Sequence, residues 1–124
     1  MKACEIAESL HAVPIALWDE DSRNTEYSAA FATDLMSDAL ALIQERPESV
    51  ALITGLVNSQ TLRTAEMLDM RFVVFVRGKY PSDETIEMAE EMGITVIATD
   101  LTMYDACGLL YQKGLGGIYG SHSA

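Results

Sequence analysis

Three apolar runs, each followed by a stretch with helical spacing, constrain the fold of this chain more than any other feature. The runs start 22 residues apart, at Val50 (VALIT), Phe72 (FVVFV) and Ile94 (ITVIA). They are almost continuous in β-branched and large apolar residues, as expected of parallel strands covered on both faces. Helices must then flank the sheet, and right-handed crossovers bring the strand ends to one edge. The pattern predicts an α/β three-layer sandwich with a mainly parallel sheet of about four or five strands.

The helices of this repeat are indicated by apolar spacing and by their ends. Ser82 and Thr102 are expected to cap the second and third helices, and Gly93 to end the second in a left-handed conformation. Apolar side chains at helical spacing are expected to face the core: Leu62, Ala65 and Leu68 in the first helix, Ile86 and Ala89 in the second, and Tyr104, Cys107, Leu110 and Tyr111 in the third.

The residues before Val50 predict an entry segment that joins the sheet at its edge. A helix is expected over residues 2–10, a short strand over 13–18, a solvated loop over 19–26 and a second short strand over 28–32. Thr33 or Asp34 is expected to cap the helix that follows. Four apolar residues of that helix are expected to be buried, namely Leu35, Ala39, Leu42 and Ile43.

Length and charge narrow the class of protein. A chain of 124 residues is the size of one domain, and its net charge of −11 disfavours nucleic acid as a partner. No apolar run approaches the roughly 20 residues that cross a bilayer, and the first residues do not resemble a secretory signal. We therefore expect a cytoplasmic protein without a membrane partner.

Cysteine and histidine usage argues against metal chemistry and catalysis. Cys4 and Cys107 stand far apart without metal-ligand spacing, and His11 and His122 lie near opposite ends of the chain. A nucleophilic cysteine needs a basic residue beside it, and neither cysteine is flanked by lysine, arginine or histidine. We expect both cysteines to be small core residues on helices, and we expect no metal, no cofactor and no enzymatic activity.

Four segments carry a resemblance to a known family. They are DLMSDAL at 34–40, VALITGLVN at 50–58, FVVFVRGKYPSDETIEMAEEMGITVIATD at 72–100 and LTMYDACGLLYQKGL at 101–115. Together they resemble the DRTGG domain, and the resemblance covers roughly residues 1–115. A single DRTGG-like α/β domain is thus expected over 1–115, followed by a flexible tail with Gly and Ser over 116–124.

The resemblance implies a regulatory role. DRTGG domains occur alone or attached to larger proteins, tend to pair as dimers and have no established catalytic role, so a homodimer is expected. The amino-terminal domain of the kinase that acts on the phosphocarrier protein HPr is similar. Phosphoryl transfer in that class requires GxxxxGK[ST], and this chain contains no such string. Its Gly-rich run at 114–120 has no lysine after it.

The predicted ligand edge follows the strands, because ligands of open α/β sheets bind beyond the carboxyl ends. Arg77 and Lys79 lie there and suit an anionic ligand, although a solvated surface or an ion pair with a neighbouring subunit explains them equally well. The candidate ligand-binding residues are Thr54, Gly55, Asn58, Arg77, Gly78, Thr99 and Thr102, with Asp34 and Ser37.

Two functions remain open at this point. The first is a regulatory module that binds a small anionic ligand, for instance a nucleotide, or a partner protein. The second is a structural adaptor or assembly subunit of a larger metabolic or redox enzyme complex, docking through Met67, Met70, Met88 and Met92. An enzyme related to HPr kinase is the least favoured alternative.

Overall fold

Helices and strands alternate along residues 1–119, the part of the chain that this computed structural model describes. A short 3-10 helix at Pro47–Ser49 precedes the third strand. In chain order the elements are α1 (Ala3–Ser9), β1 (Val13–Ala16), α2 (Glu20–Arg23), β2 (Ala29–Ala32), α3 (Met36–Leu42), β3 (Val50–Thr54), α4 (Ser59–Met67), β4 (Phe72–Phe75), α5 (Asp83–Met92), β5 (Thr95–Ala98) and α6 (Met103–Gln112).

The five strands form one sheet in the order β1-β5-β4-β3-β2. The strands from β2 to β5 are parallel neighbours in chain order, and only β1 is antiparallel, pairing with β5 at the edge. The predicted mainly parallel sheet and edge position of the first strand are confirmed. The predicted runs at 50–54, 72–76 and 94–98 correspond to β3, β4 and β5 within one residue at each end.

Helices cover both faces of the sheet, as the unbroken apolar strands require. On one face, α3, α4 and α5 pack over Leu52, Val73 and Val96, whereas α1 and α6 pack over Ile53 and Val74 on the other. Adjacent strand residues thus contribute to opposite cores. The predicted three-layer sandwich is confirmed.

Several helix ends match the sequence expectations. The side chains of Ser82 and Thr102 accept hydrogen bonds from the backbone of α5 and α6, and Gly93 ends α5 at φ 71°. The predicted solvated loop over 19–26 is wrong in part, because it contains the short exposed helix α2. The Asp19 side chain begins that helix by accepting a hydrogen bond from Ser22 N at 2.8 Å.

Four side chains predicted to be buried are exposed, and these predictions are wrong. Leu35 precedes α3 and so does not share its buried face, where Met36 and Ala39 point inward. The apolar stripe of α6 is narrower than its composition suggests, because only Ala106 and Leu110 are fully buried. The exposed residues are Leu35, Leu42, Tyr104 and Tyr111.

The methionines predicted as a docking face are distributed between surface and core. Met67 is 72% exposed, Met88 and Met92 are half-buried against the core, and Met70 is fully buried. Core filling therefore accounts for most of this set. Cys4 and Cys107 are free thiols on α1 and α6, so their expected helical placement is confirmed. Both are half-buried and not core residues, and of the two only Cys107 packs against a core cluster.

The segment after α6 returns to the edge of the sheet. Leu115 is buried, and Ala30 N of β2 donates to the Gly116 carbonyl at 2.9 Å. The predicted tail begins within this segment, and its last residues, 120–124, lie outside the described residues. The division into a domain over 1–115 and a tail stays a prediction. Within residues 1–119, no helix has the length and apolarity needed to cross a membrane.

Candidate functional site

The parallel strands β2 to β5 present four loops at one edge of the sheet, as the sequence predicts. Helices α3, α4 and α5 leave this edge toward one face, whereas α6 leaves toward the other. The loops after β4 and β5 therefore diverge. Ligands of α/β folds bind where such connections diverge, which makes this place the candidate site.

The two diverging loops are joined by backbone hydrogen bonds. Arg77 N donates to Leu101 O at 2.8 Å, and Gly78 N donates to Thr99 O at 3.1 Å. The gap between these loops is thus filled by the chain itself. A ligand at this edge would have to bind on the outer surface of the joined loops.

The loop after β4 contains two consecutive residues with a positive φ angle. Arg77 has φ 72° and Gly78 has φ 70°. Glycine accepts this left-handed region freely, whereas an arginine there is strained by about 1–2 kcal/mol. Strain of this kind is commonly found at functional positions.

The Arg77 side chain crosses the loop that follows β3. A Cβ atom on Gly55 would lie 2.8 Å from Arg77 Nε and 3.2 Å from Asp34 Oδ1. A Cβ at this position would therefore push the Arg77 side chain away, although the backbone of Gly55 has no positive φ angle. Arg77 forms no ion pair within the described part of the chain, and its side chain is exposed.

Asp34 supports this arrangement from the neighbouring loop. Its Oδ1 accepts a hydrogen bond from Gly55 N at 2.6 Å and one from Thr54 Oγ1 at 3.3 Å. The prediction that Asp34 or Thr33 caps α3 is wrong, since that helix has no side-chain cap. Thr33 Oγ1 instead accepts from Leu35 N, one residue before the helix.

Two threonines of the predicted set act inside the fold. Thr54 is buried, and its hydroxyl also accepts from Leu56 N at 3.0 Å. Thr99 is buried as well, with its hydroxyl donating to Leu10 O at 2.7 Å and accepting from Leu101 N at 3.2 Å. Both hydroxyls hold loops in place beneath the exposed surface.

The remaining predicted residues lie at helix starts. Asn58 Oδ1 accepts from Thr61 N at 3.2 Å, and Thr102 Oγ1 accepts from Asp105 N at 3.4 Å. Ser37 is exposed in the first turn of α3. Asn58 and Thr102 therefore have structural roles as caps, and their contact with a ligand stays a prediction.

Sequence reasoning missed one pair at this edge. Tyr80 donates from its hydroxyl to Asp100 Oδ1 at 2.8 Å, and this hydrogen bond to the carboxylate raises the pKa of Tyr80. The same Asp100 oxygen lies 3.3 Å from the place a Cβ would take on Gly78. The position of Asp100, two residues after the end of β5, is a signal, whereas nothing in the sequence distinguishes Tyr80.

The edge thus brings together Asp34, Gly55 and Arg77 on one side, and Gly78 and Asp100 on the other. The Asp34 carboxylate and the Arg77 side chain both approach Gly55, whereas the Asp100 carboxylate lies beside Gly78. Both carboxylates already accept hydrogen bonds from the chain. Within residues 1–119, no group of three or more His, Cys, Asp or Glu side chains is placed to share a metal ion. Burial raises the pKa of the Cys107 thiol, which lies away from this edge on α6.

Comparison with solved structures shows a likeness of fold. No protein-family model and no curated protein matches the chain. The crystal structure of the CBS and DRTGG domains of the regulatory region of Clostridium perfringens pyrophosphatase, complexed with the activator diadenosine tetraphosphate, matches with a TM-score of 0.67 and 22% sequence identity. The match covers 94% of this chain and 48% of that chain, so our chain spans about half of its length. The likeness shows a DRTGG-related fold.

Proposed function

We propose that this chain is a non-catalytic regulatory module that binds a small anionic ligand, with a nucleotide as the first candidate, at the carboxyl edge of its sheet. Arg77 is the central contact in this proposal. Gly55 lets its side chain lie across the loop after β3, and Gly78 lets the loop turn back against Asp100.

The observation that carries the proposal is the combination of strain and an unpaired charge at Arg77. Its backbone is in the left-handed region at φ 72°, and it forms no ion pair within residues 1–119. A residue under strain needs compensation, and two backbone hydrogen bonds to the loop after β5 provide it. An arginine fixed in this way presents a planar donor group suited to phosphate or carboxylate.

Charge favours a local contact of this kind over long-range attraction. The chain carries eight basic and nineteen acidic residues, so its overall field repels anions. Arg77 and Lys79 place two of the eight cations in one exposed loop. An anion that reaches this loop meets two neighbouring cations, with the carboxylates of Asp34 and Asp100 already engaged in hydrogen bonds to the chain.

The comparison supports a nucleotide as the first ligand to test. The similar pyrophosphatase fragment is a regulatory region, and its structure contains the activator diadenosine tetraphosphate. The non-catalytic part of the proposal is supported by the Cys107 thiol, whose raised pKa makes it a poor nucleophile at neutral pH. An adaptor role is the alternative, and it requires no ligand at Arg77.

Ligand-induced thermal stabilisation tests the proposal. The probes are diadenosine tetraphosphate, ATP, AMP and inorganic phosphate, each titrated against the wild-type chain. A ligand at about 100 times its dissociation constant adds about 2.7 kcal/mol to the free energy of unfolding. We expect this stabilisation with at least one nucleotide, and we expect Arg77→Ala to abolish it.

Arg63→Ala is the matched control. Arg63 is an exposed arginine on α4, so this substitution removes the same charge at a place away from the candidate site. It should respond to nucleotide as the wild type does. If no probe raises the melting temperature, the adaptor role gains support and the ligand-binding proposal is refuted. In the presence of magnesium, transfer of phosphate from ATP to HPr above the level of a buffer control would refute the proposal that the chain is non-catalytic.

A further inference from the structure

An exposed aromatic side chain lies in the same loop as Arg77. This loop joins β4 to α5, and residues 77–80 are exposed along their whole length. Tyr80 follows Arg77 by three residues, so their Cα atoms are at most about 11 Å apart. The Tyr80 side chain is 50% exposed. A guanidinium and an aromatic ring thus belong to one short stretch of surface at the candidate site.

The Tyr80 ring is held in place by its hydroxyl. The hydroxyl donates to Asp100 Oδ1 at 2.8 Å, and this oxygen lies 3.3 Å from the place that a Cβ would take on Gly78. The outer end of the ring therefore lies near Gly78, the residue next to Arg77 in the chain. A ring restrained in this way loses little conformational freedom when a ligand packs against it.

The core of the fold makes no use of this ring. Tyr27 is the buried tyrosine, and its ring packs against Phe72 with ring centroids 4.8 Å apart. Tyr80 belongs to neither core cluster, and within residues 1–119 its ring packs on no other aromatic ring. The exposed part of the ring is therefore accessible to a ligand.

An exposed tyrosine ring and a guanidinium together match the two parts of a nucleotide. The face of an aromatic side chain stacks on the face of a nucleobase, and a guanidinium suits phosphate. The hydrogen bond to Asp100 raises the pKa of Tyr80, so the hydroxyl keeps its proton at neutral pH. The ring therefore adds no negative charge beside a bound phosphate.

We propose that Tyr80 is the base-binding residue of the candidate site, so that the nucleobase of the ligand stacks on the Tyr80 ring while Arg77 binds a phosphate group. The ligand class is then a nucleoside phosphate, and not a sugar phosphate or free phosphate. This inference rests on the proposed binding of an anion at Arg77, and it adds the residue that selects among anions. If Tyr80 served only to hold the loop against Asp100, a base would add nothing to binding.

Isothermal titration calorimetry with AMP and ribose 5-phosphate tests the proposal, because the two ligands share a sugar and a phosphate and differ in the base. Stacking on one aromatic side chain should make AMP bind the wild type about tenfold more tightly than ribose 5-phosphate. Tyr80→Leu removes the ring, so it should weaken AMP about tenfold and leave ribose 5-phosphate unchanged. Tyr80→Phe keeps the ring and should bind AMP more tightly than Tyr80→Leu does.

Tyr111→Leu is the matched control, because Tyr111 is 57% exposed and lies at the end of α6 that is remote from the candidate site. It should bind both ligands as the wild type does. Melting temperatures close to that of the wild type show that the variants fold. In the wild type, AMP should also shift the NMR signals of the Tyr80 ring protons upfield, which a role confined to the loop does not explain.

The outcomes separate this inference from the proposed function. Equal binding of AMP and ribose 5-phosphate to the wild type would overturn the inference and leave the anion site at Arg77 in place. Unchanged AMP binding in Tyr80→Leu would do the same, as would equal weakening of both ligands in that variant. If the wild type binds neither ligand nor any other nucleotide, the proposed function fails, and the inference fails with it.

Discussion

The backbone strain at Arg77 gives a prediction that requires no knowledge of the ligand. Arg77→Ala removes the guanidinium and leaves the left-handed backbone, whereas Arg77→Gly removes both the guanidinium and the strain. The difference in free energy of unfolding between these two variants therefore isolates the backbone term. Because Arg77 is exposed and forms no ion pair within residues 1–119, Arg77→Ala itself should change stability by no more than about 0.5 kcal/mol.

The magnitude follows from the φ angle of 72° at Arg77. A residue with a Cβ is disfavoured there by about 1–2 kcal/mol. Glycine loses more conformational freedom on folding, which offsets about 0.5–1 kcal/mol of that gain. We therefore expect Arg77→Gly to be more stable than Arg77→Ala by about 0–1.5 kcal/mol, centred near 0.75 kcal/mol.

Urea unfolding followed by circular dichroism measures this difference, provided that the three proteins share the same dependence on urea. Lys79→Ala and Lys79→Gly form a matched pair in the same loop, at a position without a positive φ angle. There the glycine variant should be the less stable one. If Arg77→Gly is less stable than Arg77→Ala, Arg77 is not strained and the main support for the ligand site is lost.

Three further predictions concern the supports of the site and the buried tyrosine. Thr99→Val should lower the free energy of unfolding by about 2 kcal/mol in urea titrations, because the buried Leu10 carbonyl loses its hydrogen-bond donor. Thr99→Ser keeps the hydroxyl and should therefore lower the free energy of unfolding less. A larger loss in Thr99→Ser than in Thr99→Val would contradict this role. Gly55→Ala should displace the Arg77 side chain and so abolish nucleotide-induced stabilisation. The melting temperature of the free protein should change little. An unchanged nucleotide response would show that the position of the Arg77 side chain does not matter for binding. Burial raises the pKa of Tyr27 to about 12 from 10.0, so the unfolded chain releases this proton first. The stabilising contribution is complete below pH 10 and is lost as the pH rises toward 12, and Tyr27→Phe should make the unfolding free energy fall less steeply across that window.

The fold was largely predictable from the sequence because one physical rule governed its centre. Strands buried on both faces must be apolar throughout, so β3, β4 and β5 were visible as runs. Helix faces were less predictable. Tyr104 and Tyr111 lie at helical spacing with buried residues, yet a tyrosine is compatible with either environment, and the small residue Ala106 makes the close contact instead.

The sequence predicted which loops form the candidate site, but not the contacts between those loops. The rule that ligands bind at the carboxyl ends of strands led to the loops containing Gly55 and Arg77. The contacts between loops depend on which loops become neighbours, so the hydrogen bond from Gly55 N to Asp34 had no local signal. The same holds for the pair of Tyr80 and Asp100, which are 20 residues apart.

The hydroxyl of Thr99 links the beginning of the chain to the candidate site. The Thr99 hydroxyl donates a hydrogen bond to Leu10 O, 89 residues away in the chain, and accepts one from Leu101 N. Leu101 O in turn accepts a hydrogen bond from Arg77 N. Together with the pairing of β1 and β5, this relay makes the N-terminal helix and the Arg77 loop one cooperative unit. Amide hydrogens in both regions should then exchange at similar rates, and any event that detaches the N-terminal helix would also release the arginine.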